Sequence, residues 1–349
     1  MCSTADMRLG DIGELSLLEG IKKRFRAVSK EVIAGIGDDS AVVAPRGQKL
    51  LLTTDMMIEG IHFDPDFITP YQLGFKIISV NVSDIYAMGG SPRFALLDVA
   101  MDRDREEEFV ESFFDGIQEA MRIYRVMLIG GDLSSSRSGM IVSATLIGYA
   151  KIPLMRSGAR PGDRIYVTGN LGDSACGLEI LKRIKRHVPI TPSMTLPPRG
   201  GDPELRALTT ELSKLGLRWN VVEPLFRRHL LPEARSPKKI MRFATSMIDI
   251  SDGLFIDLSR LCNESRVGAR VYMKQIPVST QMKRAASAMG LDHNRFATSG
   301  GEDYELLFTA PSSRRVNAFC IGEITTSERT VVLNGEERPF SAEGYQHWH

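Results

Sequence analysis

Cysteine is scarce in this chain, and its spacing offers no disulfide framework and no zinc site. The 349 residues include only four cysteines, at positions 2, 176, 262 and 320. No two of them form a C-x-x-C pair, and none stands at zinc-ligand spacing from a histidine. This pattern excludes the common zinc-finger classes and predicts reduced thiols, as in cytoplasmic proteins.

Long apolar runs and a strong net charge are also missing. The N-terminus lacks the apolar core of a signal peptide, and no stretch approaches the roughly 20 apolar residues that a membrane helix needs. The formal net charge is +1, so the bulk charge favours neither nucleic acid nor an anionic membrane as a partner. These absences predict a soluble, cytoplasmic protein that does not bind nucleic acid or membranes.

The usual nucleotide-binding loops are absent as well. The sequence contains no P-loop, G-x-x-x-x-G-K-[ST], and no G-x-G-x-x-G that follows a strand and opens a helix. A nucleotide bound by this chain would therefore have to be held mainly through metal ions that bridge carboxylates and phosphates.

Aspartates in a repeated context are the strongest positive feature. Each lies in a short patch rich in Gly, Ser or Thr beside an apolar run, and the six are Asp39, Asp55, Asp84, Asp132, Asp249 and Asp252. If the fold gathers them, their mutual repulsion needs compensation, because like charges a few ångströms apart do not all stay ionised unaided. Mg²⁺ prefers carboxylate oxygens together with substrate phosphates, so the set predicts a magnesium-dependent phosphate site.

The pattern of elements predicts a mixed α/β chain of two halves, residues 1–151 and 152–349. A turn-rich break at 157–163 separates two halves that share a strand–Gly–Asp–helix rhythm. Asp55 and Asp132 are expected at loop ends that follow strands. The basic stretches 182–187 and 226–242 are interpreted as solvated helix faces or loops.

Further short motifs make the chain resemble a known family. Nine ordered motifs carry the resemblance: GIGDDSA (35–41), TTDMMIEGIHF (53–63), VNVSDIYAMGGSP (80–92), IGGDLS (129–134), RSGARPGD (156–163), VTGNLGDSACGL (167–178), IDISDGL (248–254), SGGEDYELLF (299–308) and GYQHW (344–348). They are similar to those of the thiamine-monophosphate kinase family, within the aminoimidazole ribonucleotide synthetase-like superfamily. Only the proline-rich stretch around 188–203 has no counterpart, and it is interpreted as a loop or a mobile insertion.

The resemblance implies an activity and a set of site residues. It implies ATP-dependent phosphorylation of thiamine monophosphate to thiamine diphosphate, the last step of thiamine diphosphate biosynthesis, by direct in-line transfer with several Mg²⁺ ions and no covalent catalytic residue. The implied metal ligands are Asp39, Thr53, Thr54, Asp55, Asp84, Asp132, Asp249 and Asp252. The implied ATP contacts are Gly131, Asp132, Arg156 and Ser251. The implied contacts to thiamine monophosphate are His62, Glu302 and Tyr345.

The chemistry of these residue types fits the implied roles. Arg156 can pair bidentately with a phosphate, Glu302 suits a cationic thiazolium, and Tyr345 could stack on a flat cationic ring. The resemblance further implies two α+β domains, with residues 1–151 as the metal- and ATP-binding and dimerisation domain and residues 152–349 as the C-terminal domain. It also implies a homodimer in which the N-terminal sheets of two subunits pair. Because the aspartates come from both halves, the site is expected in the cleft between the domains.

Three relatives and one unrelated class are alternatives. Selenophosphate synthetase needs a reactive cysteine in a glycine-rich context that Cys2 lacks, and the hydrogenase maturation relative needs a C-terminal cysteine where this chain ends in His349. Aminoimidazole ribonucleotide synthetase shares the glycine–aspartate architecture but not TDMMIEGIHF together with SGGEDYELLF. A metal-dependent nucleotide-binding regulator without turnover is disfavoured by the retention of every acidic motif, and it stays open.

Overall fold

A computed structural model describes residues 20–21, 23–25, 31–34, 42–43, 48–192 and 203–345. The chain divides into two compact units. The N-terminal unit comprises the chain to Ile85 and Gly90–Ile152, and the C-terminal unit comprises Tyr86–Gly89 and the chain from Pro153. The expected domain boundary between residues 151 and 152 stays a prediction, and the sequence did not indicate that Tyr86–Gly89 belongs with the second unit.

A four-stranded sheet in the order β3-β6-β4-β5 forms the centre of the N-terminal unit within the described residues. Its strands are β3 (Lys49–Ile58), β4 (Ser91–Met101), β5 (Met127–Ser135) and β6 (Ile141–Ala150), and a separate pair is formed by β1 (Val32–Ala34) and β2 (Val42–Val43). β4 and β5 are parallel, whereas β6 runs antiparallel to both β3 and β4. Leu51 and Met57 of β3 are buried on one face of the sheet. Every second residue between them is exposed on the opposite face, because a strand has a period of two residues.

Two helices of the N-terminal unit cross at a pair of glycines. They are α1 (Pro70–Ala87) and α2 (Glu107–Tyr124). Apolar residues of α2 recur at helical spacing, and Val110, Phe113 and Ile117 are fully buried. A Cβ at Gly74 would lie 2.0 Å from the carbonyl oxygen of Phe113, and one at Gly116 would lie 1.9 Å from that of Tyr71. The two backbones therefore touch, and this contact fixes the helix that carries Asp84.

A seven-stranded mixed sheet in the order β13-β12-β9-β11-β7-β10-β8 forms the C-terminal unit within the described residues. Its strands are β7 (Asp163–Val167), β8 (Ser246–Asp249), β9 (Gly268–Tyr272), β10 (Leu306–Pro311), β11 (Phe319–Thr325), β12 (Arg329–Leu333) and β13 (Glu336–Pro339). β10 runs antiparallel between β7 and β8, which places the ends of those two strands beside the start of β10. The loops that follow β7 and β8 therefore emerge at the same end of the sheet.

Six helices accompany this sheet in the part of the chain that is described. They are α3 (Asp173–Ile184), α4 (Pro203–Lys214), α5 (Trp219–Leu230), α6 (Leu254–Ser265), α7 (Thr280–Met289) and α8 (His293–Ser299). α3 begins after the loop that follows β7, and α6 begins after the turn that follows β8. Residues such as Ile180 of α3 and Leu258 of α6 are fully buried, so both helices are anchored by the core.

The mixed α/β class is confirmed, and several local predictions need correction. Asp55 and Asp132 lie inside β3 and β5 rather than at loop ends, because both strands continue past the apolar runs into polar residues. The stretch 226–242 is not simply a solvated surface: it includes the end of α5, where Arg228 is largely buried.

Two expected absences can be checked on the described residues. None of the described helices is both long and apolar enough to cross a membrane. Cys176, Cys262 and Cys320 carry free thiols, and burial raises the pKa of Cys176 to about 12 and that of Cys262 to about 11.

The helix crossing yields a stability prediction. We expect Gly116→Ala to lower the free energy of unfolding by about 1–3 kcal/mol or more, because the added methyl group overlaps the backbone of α1. Chemical denaturation of the variant measures this loss. Gly20→Ala is the control, since nothing lies within 4 Å of a Cβ at that position. Equal stability of the two variants would contradict the close crossing.

Candidate active site

Backbone hydrogen bonds gather four of the predicted site residues in the C-terminal unit. The turn after β8 carries Ser251 and Asp252. The Ser251 carbonyl accepts a hydrogen bond from the N–H of Glu302 at 2.7 Å, and the Asp252 carbonyl accepts one from the N–H of Tyr345 at 3.0 Å. Asp249 ends β8 and is 4% exposed. Residues predicted to contact ATP, metal and thiamine monophosphate thus lie side by side.

The turn that presents Ser251 and Asp252 is held by a residue that was not predicted. Asp257 lies in the first turn of α6, is fully buried, and accepts hydrogen bonds from the N–H groups of residues 251, 252 and 253. Arg260 donates to Asp252 at 2.6 Å and to Asp257 at 2.7 Å. Burial, followed by the charge of Asp252, raises the pKa of Asp257 to about 6, while Arg260 and the backbone donors oppose that rise.

The loop that carries Glu302 has an unusual backbone. Glu302 and Tyr304 have positive φ angles of 64° and 50°, a left-handed conformation that is uncommon for residues other than glycine. Such conformations cost free energy and concentrate at binding sites. The carboxylate of Glu302 lies 3.0 Å from Nδ1 of the buried His229, and the hydroxyl of Ser174 lies 3.1 Å from the same nitrogen.

Asp303 accepts hydrogen bonds from backbone N–H groups at the start of α3, as Asp257 does at the start of α6. It is 1% exposed and accepts hydrogen bonds from the N–H groups of Gly172 at 2.6 Å and Ser174 at 3.3 Å. Burial raises its pKa to about 7, although the Arg228 guanidinium and the backbone donors favour the ionised form. Burial likewise raises the pKa of Asp173, against the hydrogen bond from Ser279.

A further buried acid, Glu305, binds two arginines at the edge of a pocket. Its side chain is inaccessible to solvent and accepts hydrogen bonds from Arg228, Arg235 and Thr168. The adjoining pocket has a volume of about 370 Å³ and contains none of the predicted site residues. We regard it as separate from the candidate site, because the predicted residues converge on the turn after β8.

In the N-terminal unit, α1 brings Asp84 onto the buried face of the sheet. The hydroxyl of Thr53 donates to the Asp84 carboxylate at 2.5 Å. Asp55 is two residues from Thr53 on β3 and points to the same face, since alternate residues of a strand share a face. Three of the predicted metal ligands therefore lie on one side of the sheet.

Thr54 and Asp132 lie on the opposite face of the same sheet. The hydroxyl of Thr54 accepts a hydrogen bond from that of Thr145 on β6 at 3.1 Å. Asp132 of β5 lies opposite Asp98 in the strand register of β4 and β5. The predicted neutral oxygens beside Asp55 thus do not act together, because consecutive strand residues point to opposite faces. The packing of the strands requires glycine at position 131, because a Cβ there would lie 1.8 Å from the Leu97 carbonyl oxygen.

The remaining predicted residues are less closely gathered. The ring of His62 accepts a hydrogen bond from the N–H of Ile58 through Nδ1 at 3.0 Å, which fixes the ring at the end of β3. Arg156 has an exposed side chain, and its carbonyl accepts a hydrogen bond from Ser265 at the far end of α6. Asp39 lies outside the described residues.

The donor atoms fit magnesium, although the side chains do not form a compact cluster. Among the described residues, no three His, Cys, Asp or Glu side chains come together in an arrangement that could hold a metal ion. The oxygens of Thr53 and Asp84 nevertheless lie 2.5 Å apart, and both are hard ligands of the type that Mg²⁺ prefers. The identity of the donors therefore supports a magnesium site.

The residues missed by sequence reasoning are mainly buried supporting groups. Asp257 and Arg260 stand three apart on the helix that follows the turn, a spacing that places both on one helix face and could have indicated a pair. Asp303 and Glu305 belong to the motif that contains Glu302. No sequence signal pointed to Arg228 or His229, since their partners are more than 50 residues away.

Comparisons with known proteins identify close relatives over the full length. Residues 37–150 match the family model for the N-terminal domain of AIR synthase related protein. Thiamine-monophosphate kinase of Aquifex aeolicus is 35% identical over 98% of this chain and 100% of that protein, and the Escherichia coli K12 enzyme is 34% identical over 96% and 98%. A solved structure of AaThiL complexed with AMPPCP and TMP has a TM-score of 0.73 and 34% identity, covering 99% of this chain and 100% of that one.

The buried carboxylate of Asp303 yields a prediction of pH dependence. Its pKa is raised from 3.8 to about 7 in the fold, so the folded state holds this proton more tightly than the unfolded state. This contribution to the free energy of unfolding is present at low pH. It is lost as pH rises from about 4 to about 7, by up to about 1.4 kcal/mol per pH unit.

We therefore expect Asp303→Asn to show a shallower decline of stability over that pH interval. Urea unfolding at a series of pH values measures the slope. An identical slope in the variant and the unmodified protein would show that Asp303 does not titrate there.

Proposed function

The chain belongs to the thiamine-monophosphate kinase family, and on that basis we propose that it transfers a phosphoryl group from ATP to thiamine monophosphate, which yields thiamine diphosphate. One observation of the fold supports the proposal more than any other. Ser251 and Asp252, assigned to ATP and metal, are hydrogen-bonded through their carbonyls to Glu302 and Tyr345, assigned to the second substrate. Such adjacency is what direct transfer between two bound substrates requires.

Magnesium is the metal that the donor set favours. The proposed ligands are oxygens of Thr53, Asp55 and Asp84 in the N-terminal unit, Asp249 and Asp252 in the C-terminal unit, and Asp39, Thr54 and Asp132 by family resemblance. Bound Mg²⁺ would neutralise the charge on the phosphate oxygens during transfer. The protein contributes the carboxylates and keeps them in place through the anchored elements β3, α1 and β8.

The side chains, rather than the amides, of the turn after β8 would contact the nucleotide. The N–H groups of residues 251–253 already donate to Asp257, so they cannot also bind a phosphate. We propose that Ser251 contacts ATP through its hydroxyl. Arg156 would pair with a phosphate through its exposed guanidinium, and Gly131 would allow close approach of the backbone.

The thiamine end of the second substrate would be recognised by His62, Glu302 and Tyr345. The negative charge of Glu302 is held in a fixed position by the left-handed loop and by the contact with His229. The ring of Tyr345 is 47% exposed and is tied to the turn through its backbone N–H, so it is accessible to a flat cation. The cytoplasmic location stays a prediction of the sequence.

The activity is tested directly with purified protein, ATP, Mg²⁺ and thiamine monophosphate. We expect thiamine diphosphate as the product, identified by chromatography. Asp84→Asn should lower turnover at least about 100-fold, because it removes a charged ligand while its amide oxygen can still accept the Thr53 hydrogen bond.

Asp115→Asn is the matched control, an exposed aspartate on α2 of the same unit. It should retain normal turnover. Folded, metal-supplied protein that forms no thiamine diphosphate would overturn the proposed function. Near-normal turnover of Asp84→Asn would overturn only the assignment of Asp84.

We also propose that the chain forms a homodimer through the outer face of the N-terminal sheet. β3 is an edge strand of ten residues, and its outward residues Leu50, Leu52 and Met56 are 46%, 69% and 52% exposed. Large apolar side chains exposed together often mark an interaction surface, and a second copy of the same face would cover these three.

The dimer is tested by the molar mass in solution, measured by light scattering after size exclusion. The unmodified protein should have about twice the mass of the chain, and Leu52→Lys should shift it towards the monomer. Ile123→Lys is the control, since this exposed apolar residue lies on α2 instead of β3. A monomeric unmodified protein, or equal effects of the two substitutions, would refute this interface.

A further inference from the structure

The carboxylate of Asp257 is the hub of the turn that presents Ser251 and Asp252. Its Oδ2 atom accepts three hydrogen bonds from consecutive backbone N–H groups, at 3.1 Å from residue 251, 3.0 Å from residue 252 and 3.2 Å from residue 253. Its Oδ1 atom accepts a fourth from Arg260 at 2.7 Å. The side chain is fully buried, so water does not substitute for these bonds.

Three donors that converge on one oxygen leave the turn little conformational freedom. The geometry of the turn also reaches beyond its own residues, because its carbonyls accept the N–H groups of Glu302 and Tyr345. A displacement of the turn would therefore move the residues assigned to both substrates together. Arg260 also connects the side chains of Asp252 and Asp257, because one of its nitrogens donates to both carboxylates.

We propose that Asp257 is a positioning residue of this active site, which acts by fixing the backbone of residues 251–253. The kinetic consequences of this inference rest on the proposed function. Its structural consequences rest on the hydrogen bonds alone. Asp257 does not contact substrate in this role. It sets where the Ser251 hydroxyl and the Asp252 carboxylate stand.

A buried carboxylate elsewhere in the same unit provides the matched control. Asp163 is 6% exposed and accepts hydrogen bonds from the N–H of Arg160 and the hydroxyl of Thr245. It starts β7, whereas the candidate site adjoins the opposite end of that strand. Loss of Asp163 therefore reports the cost of removing a buried, hydrogen-bonded carboxylate without moving the turn.

The kinetic test compares Asp257→Ala, Asp257→Asn and Asp163→Ala at equal concentrations of folded protein. We expect Asp257→Ala to lower kcat/KM for ATP by about 100-fold, through both a higher KM and a lower kcat, because misplaced groups lose their alignment with the substrates. Asp257→Asn keeps one oxygen for the three N–H donors and should recover to within about tenfold of the unmodified enzyme. Asp163→Ala should lower the melting temperature while leaving KM and kcat within about twofold.

The structural test is hydrogen exchange of the backbone amides of residues 251–253, which does not depend on activity. Asp257→Ala should accelerate their exchange at least about tenfold relative to the amides of β7, and Asp163→Ala should not. If Asp257→Ala does not fold, Asp257→Glu replaces it in both tests. The longer side chain moves the carboxylate by one methylene and should impair ATP use in the same direction.

Three outcomes would overturn the proposal: unchanged KM and kcat in Asp257→Ala, or in Asp257→Glu where that variant replaces it; equal losses in Asp257→Ala and Asp163→Ala; and unchanged exchange of the turn amides. Absence of kinase activity in the unmodified protein would instead overturn the proposed function. The exchange measurement would then still decide whether Asp257 fixes the turn.

Discussion

Two buried carboxylates accept hydrogen bonds from the backbone N–H groups at the helix starts beside the candidate site. The chemistry of the site follows from these hydrogen bonds. Asp257 accepts the N–H groups before α6, and Asp303 accepts those at the start of α3. Free helix N-termini bind phosphates readily, because their unpaired amides and the helix dipole both favour an anion. In this protein those amides already donate hydrogen bonds to Asp257 and Asp303. Phosphate charge at these two helix starts would accordingly have to be met by side chains and cations, which agrees with the absence of a P-loop in the sequence.

The same constraint explains why arginines accompany the acids of the C-terminal unit. A buried carboxylate is costly unless it is paired and hydrogen-bonded. Arg260 supplies that pairing for Asp252 and Asp257, and Arg228 and Arg235 supply it for Glu305. Since Arg260 already contacts Asp252, a metal ion bound there would have to share that carboxylate with the guanidinium or displace it. The charge that Asp252 presents to a ligand is therefore set by Arg260 and by Asp257 together.

Much of the fold was predictable from the sequence because its helices and strands follow local patterns. The buried positions of strand β4 and helix α2 follow alternation and helical spacing, which are properties of neighbouring residues. The association of Ser251 with Glu302 followed from family motifs, not from periodicity. The roles of Arg228 and His229 were not predictable, because both residues lie on α5 and their partners Glu305, Ser174 and Glu302 are more than 50 residues away in the sequence. The face on which Thr54 lies was missed for a simpler reason: the end of β3 was expected before Asp55, so the alternation of the strand was not carried through it.

That alternation has a consequence for how the N-terminal unit uses its ligands. Thr54 and Asp132 share the outer face of the sheet but lie on β3 and β5, three strand spacings apart, or about 14 Å at about 4.8 Å per spacing. One Mg²⁺ ion with ligand distances of about 2.1 Å cannot contact both within a single chain. The metal ligands that the family resemblance implies at Thr54 and Asp132 would therefore belong to different ions within one chain.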